Sequence, residues 1–104
     1  MAREVSMAMK SELNNGVLGV RVFSTPEHEL RPHKLAAGEY GYWHAQQHWV
    51  ACSPNGHLCN LAAHKVTENN DNTITVTPSI GVHTSDTQAW AYHGWITNGI
   101  WTDA

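Results

Sequence analysis

The residues best suited to chemistry in this chain are two cysteines and a large set of histidines. Cys52, His57 and Cys59 fall in one short stretch, and His93 lies far along the chain. Thiolate and imidazole together suit tetrahedral zinc. The Ser53-Pro54-Asn55-Gly56 turn between them would act as a knuckle, bending two ligands toward one point. A structural zinc held by Cys52, His57, Cys59 and His93 would also staple a small core. The spacing departs from the usual Cys-x2-Cys pair, so a plainer reading stands beside it. In that reading both cysteines are small buried hydrophobes and His57 is a turn residue.

Eight histidines in 104 residues widen the options. His44 and His48 would share a face if helical, but no Glu stands between them as in the His-Glu-x-x-His zinc motif. On a hairpin they would not converge. His64, His83 and His93 are possible general bases, and Ser79, Ser85 and Asp86 are nearby in sequence. No nucleophile elbow, phosphate loop or paired-carboxylate spacing accompanies them. A metal-dependent enzyme, with His44, His48 and His93 around an open site and His64 as base, therefore stays an alternative.

The aromatic residues form the second constellation. Five Trp and three Tyr are more ring surface than a core of this size needs. Trp90, Tyr92, Trp95 and Trp101, with Trp43 and Trp49, are candidate contact residues, because tryptophan and tyrosine concentrate at binding faces. Packing inside the core competes with that reading. Alternation along the last hairpin sends Trp90, Tyr92 and Gly94 one way and Ala91, His93 and Trp95 the other.

Composition excludes some partners. Charged residues are 14% and the formal net charge is -3. No Lys or Arg run exists to track phosphates, so nucleic acid is not an expected partner. No apolar run is long enough to span a membrane. The first residues lack the apolar stretch of a signal peptide, so a cytoplasmic location and free thiols are expected.

The positioning elements read as mainly β. One domain is expected over 1–104, with a helix or arm over 1–16 and a β core over 17–104. Val5, Met9 and Leu13 recur at helical spacing, and Asn14-Asn15-Gly16 is a stop signal. Val17 to Phe23 reads as a strand, and Ser24 to Ala37, with Pro26 and Pro32, as a loop. Glu39 to His44 and His48 to Cys52 suggest a hairpin, with a short helix as the rival. Leu58 to Val66 reads as one strand. Thr73 to Thr77 alternates Thr out with Ile and Val in, and Pro78 should end its pairing at an edge or bulge. Gly81 to Gln88 reads as a polar loop. Asn98-Gly99 between apolar runs is the strongest hairpin signal in the chain. The sum is a small antiparallel sandwich or rolled sheet of about five to seven strands.

Two segments carry a family resemblance. Thr75-Val76-Thr77-Pro78-Ser79-Ile80 and His93-Gly94-Trp95-Ile96-Thr97-Asn98-Gly99-Ile100-Trp101 resemble a small uncharacterised family of phage and bacterial proteins. Its members carry a Cys-Pro-Gly-Cys-type knuckle, a Ser/Thr-Pro-Ser-Ile segment and a terminal Cys-His-x-Trp-Ile-x-Asn/Asp-Gly pattern. The resemblance covers about residues 40–102. Cys52 and His93 match the pattern directly. The knuckle's second Cys falls on Asn55, and the Cys beside the late His falls on Tyr92 or Trp90. His57 and Cys59 are the available substitutes, so the resemblance implies a zinc site that is rearranged or lost. It also implies a phage-type accessory protein in the host cytoplasm.

The expected function is a β-rich binding module that inhibits or modulates a host protein by direct contact. Self-association into a homodimer or higher homo-oligomer is expected, because surplus aromatic surface in a small domain favours it. The other readings are the metal-dependent enzyme and a structural virion component.

Overall fold

A computed structural model describes residues 16–83 and 89–104. The proposed N-terminal helix lies outside the described residues. Among the described residues there are nine strands in two sheets. β1 is Val17–Leu18, β2 Val20–Arg21, β3 Glu39–Trp43, β4 His48–Cys52 and β5 Leu58–Asn60. β6 is Lys65–Glu68, β7 Ile74–His83, β8 Trp90–Thr97 and β9 Ile100–Asp103. A five-stranded sheet has the order β1-β9-β8-β7-β6, and a four-stranded sheet the order β2-β3-β4-β5. No helix among the described residues is long and apolar enough to cross a membrane.

The two sheets face each other over one apolar cluster. Tyr40, Ala51, Cys59 and Leu61 come from one side, and Ile74, Val76, Ile80, Tyr92, Ile96 and Trp101 from the other. Strand alternation supplies the inward faces, as read for Ile74 and Val76. Trp101 is fully buried, and its Nε1–H donates to the Gly38 carbonyl across the sheets at 3.0 Å.

The strand count is higher than expected because two segments break. Val17 to Phe23 divides at Gly19: β1 pairs with β9, and β2 pairs with β3 in the other sheet. Gly19 makes this corner possible, since a side chain there would strike the Gly99 carbonyl and the Tyr40 ring. Leu58 to Val66 likewise divides into β5 and β6, one in each sheet, so its residues do not share one strand face. One pair is not antiparallel: β2 runs parallel to β3. Parallel neighbours need a long crossover, and residues 22–38 supply it. That crossover contains a 3-10 turn at Pro32–Lys34, and it lays Leu30 against Gly41 on the outer face of β3.

Other expectations hold. β3 and β4 form the hairpin rather than a helix, with Tyr42 opposite Trp49. Asn98 and Gly99, with φ of 50° and 76°, make the tight turn between β8 and β9. Positive φ at both positions suits the twist of a two-residue hairpin. Pro78 sits at a bulge, as expected, but β7 does not end there. Its register shifts between Val76 and Ile80, which absorbs the missing N–H, and pairing resumes to His83.

Arg21 closes one side of the sandwich. Its guanidinium lies over Phe23 and Trp49, 4.6 and 5.0 Å from the ring centroids. It also donates to the Glu68 carboxylate at 2.7 Å and to the Asn72 carbonyl at 3.1 Å. This joins β2 of one sheet to β6 of the other.

Trp101→Phe keeps most of the buried ring but leaves the Gly38 carbonyl without its donor. It should cost about 1–3 kcal/mol, read as a lower urea midpoint at unchanged slope. An unchanged midpoint would show that the indole hydrogen bond adds nothing.

Candidate functional site: the outer face of β7 and β8

The four residues expected to bind zinc are not brought together. Cys59 faces the core beside Ala51, its cross-strand partner. Cys52 pairs with Leu58, so alternation turns it to the opposite face of that sheet. The His57 side chain is exposed on the turn. His93 belongs to the other sheet. Among the described residues, no three His, Cys, Asp or Glu side chains form a group that could hold a metal. Both cysteines are buried thiols. Burial pushes the Cys59 thiol up to about 11, with Cys52 adding to the shift, and burial also raises Cys52.

The histidines of the open-site alternative are dispersed too. His44 Nε2 bonds the Ser24 carbonyl, and Glu29 accepts from the backbone N–H groups of His44 and Ala45. His48 packs edge-on against Trp43. These contacts secure the β3–β4 hairpin.

What does converge is a patch on the outer face of the five-stranded sheet. The Trp90 ring stacks with His83 at 3.9 Å and with His93 at 4.4 Å, at interplanar angles of 21° and 16°. It rests on Gly81, where any side chain would occupy the same space. Trp95 lies 6.1 Å from His93. His93 Nε2 and Ser79 Oγ are hydrogen-bonded at 3.0 Å, and His64 Nε2–H donates to the Ser79 carbonyl at 3.0 Å. The bulge at Pro78 places Ser79 here.

A second bulge explains Trp90. Val82 pairs with Tyr92, but His83 pairs with Trp90, so Ala91 is an extra residue on β8. Simple alternation would put Trp90 on the inner side with Tyr92. The extra residue turns it outward, onto the face of His93. Trp90 therefore shares a face with His93 rather than with Tyr92, contrary to simple alternation.

The six aromatic contact candidates separate by burial. Trp90 and Trp95 are 51% and 40% exposed. Trp101 and Tyr92 are 0% and 6% exposed, packed edge to face in the core, which leaves neither with surface for a partner. Burial raises the Tyr92 phenol above its ordinary range, with the Asp103 carboxylate adding to this. Trp49 lines a cleft of about 430 Å³ with Arg21, Tyr42 and Glu68. Trp43 lines a shallower groove of about 800 Å³ with Leu30 and Leu58.

Comparison with known proteins adds no relative: no family model, curated protein or solved structure matches the chain.

Because its pKa is raised from 9.0 to about 11, Cys59 favours the fold fully below pH 9, and that contribution is lost as pH rises toward 11. Stability should therefore fall over that window, and less steeply in Cys59→Ala. A neutral-pH thiol reagent should leave Cys59 unlabelled in the folded protein and label it in urea. Fast labelling of the folded protein would contradict the burial.

Proposed function

We propose that this chain is a binding module that contacts another protein through the outer face of β7 and β8. The observation that carries this reading is Trp90. It is half exposed yet fixed between His83 and His93 on a glycine floor. A large ring held in place before contact loses little side-chain entropy on binding, and such tryptophans dominate interface energies. Trp95 extends the patch, and the Ser79–His93 hydrogen bond supplies polar groups at its edge. The resemblance of residues 40–102 to phage and bacterial proteins supports a host protein as the partner. Inhibition or modulation of that protein is the corresponding activity.

The same patch could join two copies of the chain, and sedimentation separates the cases. Trp90→Ala with Trp95→Ala should lower the melting temperature by a few degrees while the protein stays folded, since both rings lie outside the core but Trp90 packs on Gly81, His83 and His93. If each ring is a hot spot, partner affinity should drop roughly 30-fold or more per site. Wild-type and variant baits are compared by quantitative capture from host lysate, with sedimentation across concentration. Equal capture and equal oligomeric state for both proteins would remove this reading.

A second reading rests on the Ser79–His93 pair, a nucleophile and a base within hydrogen-bond reach. Among the described residues no carboxylate hydrogen-bonds His93 to orient it. This reading requires a fluorophosphonate probe to label Ser79 in the wild type and not in His93→Ala.

A further inference from the structure

Two Asn-Gly pairs lie in described turns, Asn55-Gly56 and Asn98-Gly99. In this dipeptide the glycine N–H meets no side-chain obstruction as it approaches the asparagine side chain. The two turns restrain that approach differently.

At Asn55 the carboxamide itself is tied at both atoms. Oδ1 accepts from Ser53 Oγ, and Nδ2 donates to the Ala91 carbonyl at 2.8 Å. The Gly56 N–H donates to the Ser53 carbonyl at 2.8 Å. Ser53 is fully buried and anchors the turn, its Oγ also accepting from the His57 N–H at 2.9 Å. Asn55 and Gly56 are themselves exposed, and among the described residues beyond its chain neighbours nothing would lie within 4 Å of a Cβ at Gly56. At Asn98 the protection sits on the attacking atom alone: the N–H of Gly99, buried where Gly56 is exposed, donates to the Ile74 carbonyl at 2.9 Å. Among the described residues, the Asn98 Oδ1 has only a long contact from Thr75 Oγ1, 3.4 Å.

We propose that Asn55 is a spontaneous deamidation site restrained by a hydrogen-bond latch, and that its conversion frees the β4–β5 turn from the β8 bulge. When the latch opens, the Gly56 nitrogen loses its proton and attacks the Asn55 side-chain carbon. A C–N bond forms in a five-membered imide, the bond to Nδ2 breaks, and Nδ2 leaves as ammonia after taking up a proton. Water then opens the ring to aspartate or isoaspartate. The product carboxylate is acceptor-only, so it cannot donate to the Ala91 carbonyl and is repelled by it. Ala91 is the extra residue that aims Trp90, so the modification acts beside the outer patch.

The test ages the full chain at mildly alkaline pH, folded and in urea, and maps both asparagines by mass spectrometry. Two hydrogen bonds on one carboxamide should slow Asn55 roughly tenfold or more in the folded chain. Ser53→Ala removes the bond to Oδ1 but keeps those of Nδ2 and the Gly56 N–H, so folded Asn55 should speed up part of the way toward its urea rate while Asn98 stays slow. If that variant fails to fold, Asn98 accelerates as well, and the wild-type comparison decides alone. An Asn55 that reacts equally fast folded and unfolded, or that fails to react in urea, would overturn the proposal. Asn55→Asp carries the product charge, and its Gly56 and His57 amides should exchange hydrogen faster than in wild type. Unchanged exchange would overturn the release of the turn.

Discussion

The fold depends on a corner at which both sheets meet through backbone and one indole. The Gly19 N–H donates to the Gly99 carbonyl at 2.8 Å, and the Gly99 N–H donates to the Ile74 carbonyl at 2.9 Å. Trp101 lies beside this point and reaches Gly38, in the turn that leads into β3 of the opposite sheet. The chain can pass from β1 to β2 there only because Gly19 leaves room for Tyr40 and Trp101. Each sheet would otherwise leave an apolar face open to water. The shared corner brings Tyr40 and Trp101 together as the largest fully buried side chains.

Outside the core, irregular pairing creates the chemistry-bearing surface. A regular ladder between β7 and β8 would give strict alternation. The bulge at Pro78 brings Ser79 within reach of His93, and the bulge at Ala91 rotates Trp90 onto the same face. Bulges re-aim side chains at the cost of ladder hydrogen bonds. Both fall in one strand pair, so Ser79, His83, Trp90 and His93 gather in a small area of an otherwise threonine-rich face.

The sandwich has two kinds of cross-sheet tie. Trp101 works from inside, through apolar burial and one buried hydrogen bond. Arg21 works at the edge, where its stem and guanidinium cover Phe23 and Trp49 while its N–H groups meet Glu68 and Asn72. Glu68 is exposed, so the ionic part of that tie is weakened by water and salt, and stacking contributes most of its value. Asn55 makes a third, smaller link, between the β4–β5 turn and β8.

Local pattern in the sequence determined the β class, the β3–β4 hairpin, the Ser53–Gly56 and Asn98-Gly99 turns and the inward faces of Ile74 and Val76. Those features arise from alternation and turn chemistry within a few residues. Only the tertiary structure decided the rest. The breaks at Gly19 and after Asn60 come from packing between sheets, which no single strand encodes. The parallel β2–β3 pair depends on where a long crossover lands. Separation of Cys52 from Cys59 follows from register, because neighbouring positions in a ladder face opposite ways. Burial of Tyr92 and Trp101 and exposure of Trp90 and Trp95 could not be read from composition, since the same ring serves core or surface. The Ser79–His93 contact needed two strands, and the turned-out Trp90 needed one extra residue at Ala91, because pairing between strands decides where a side chain points.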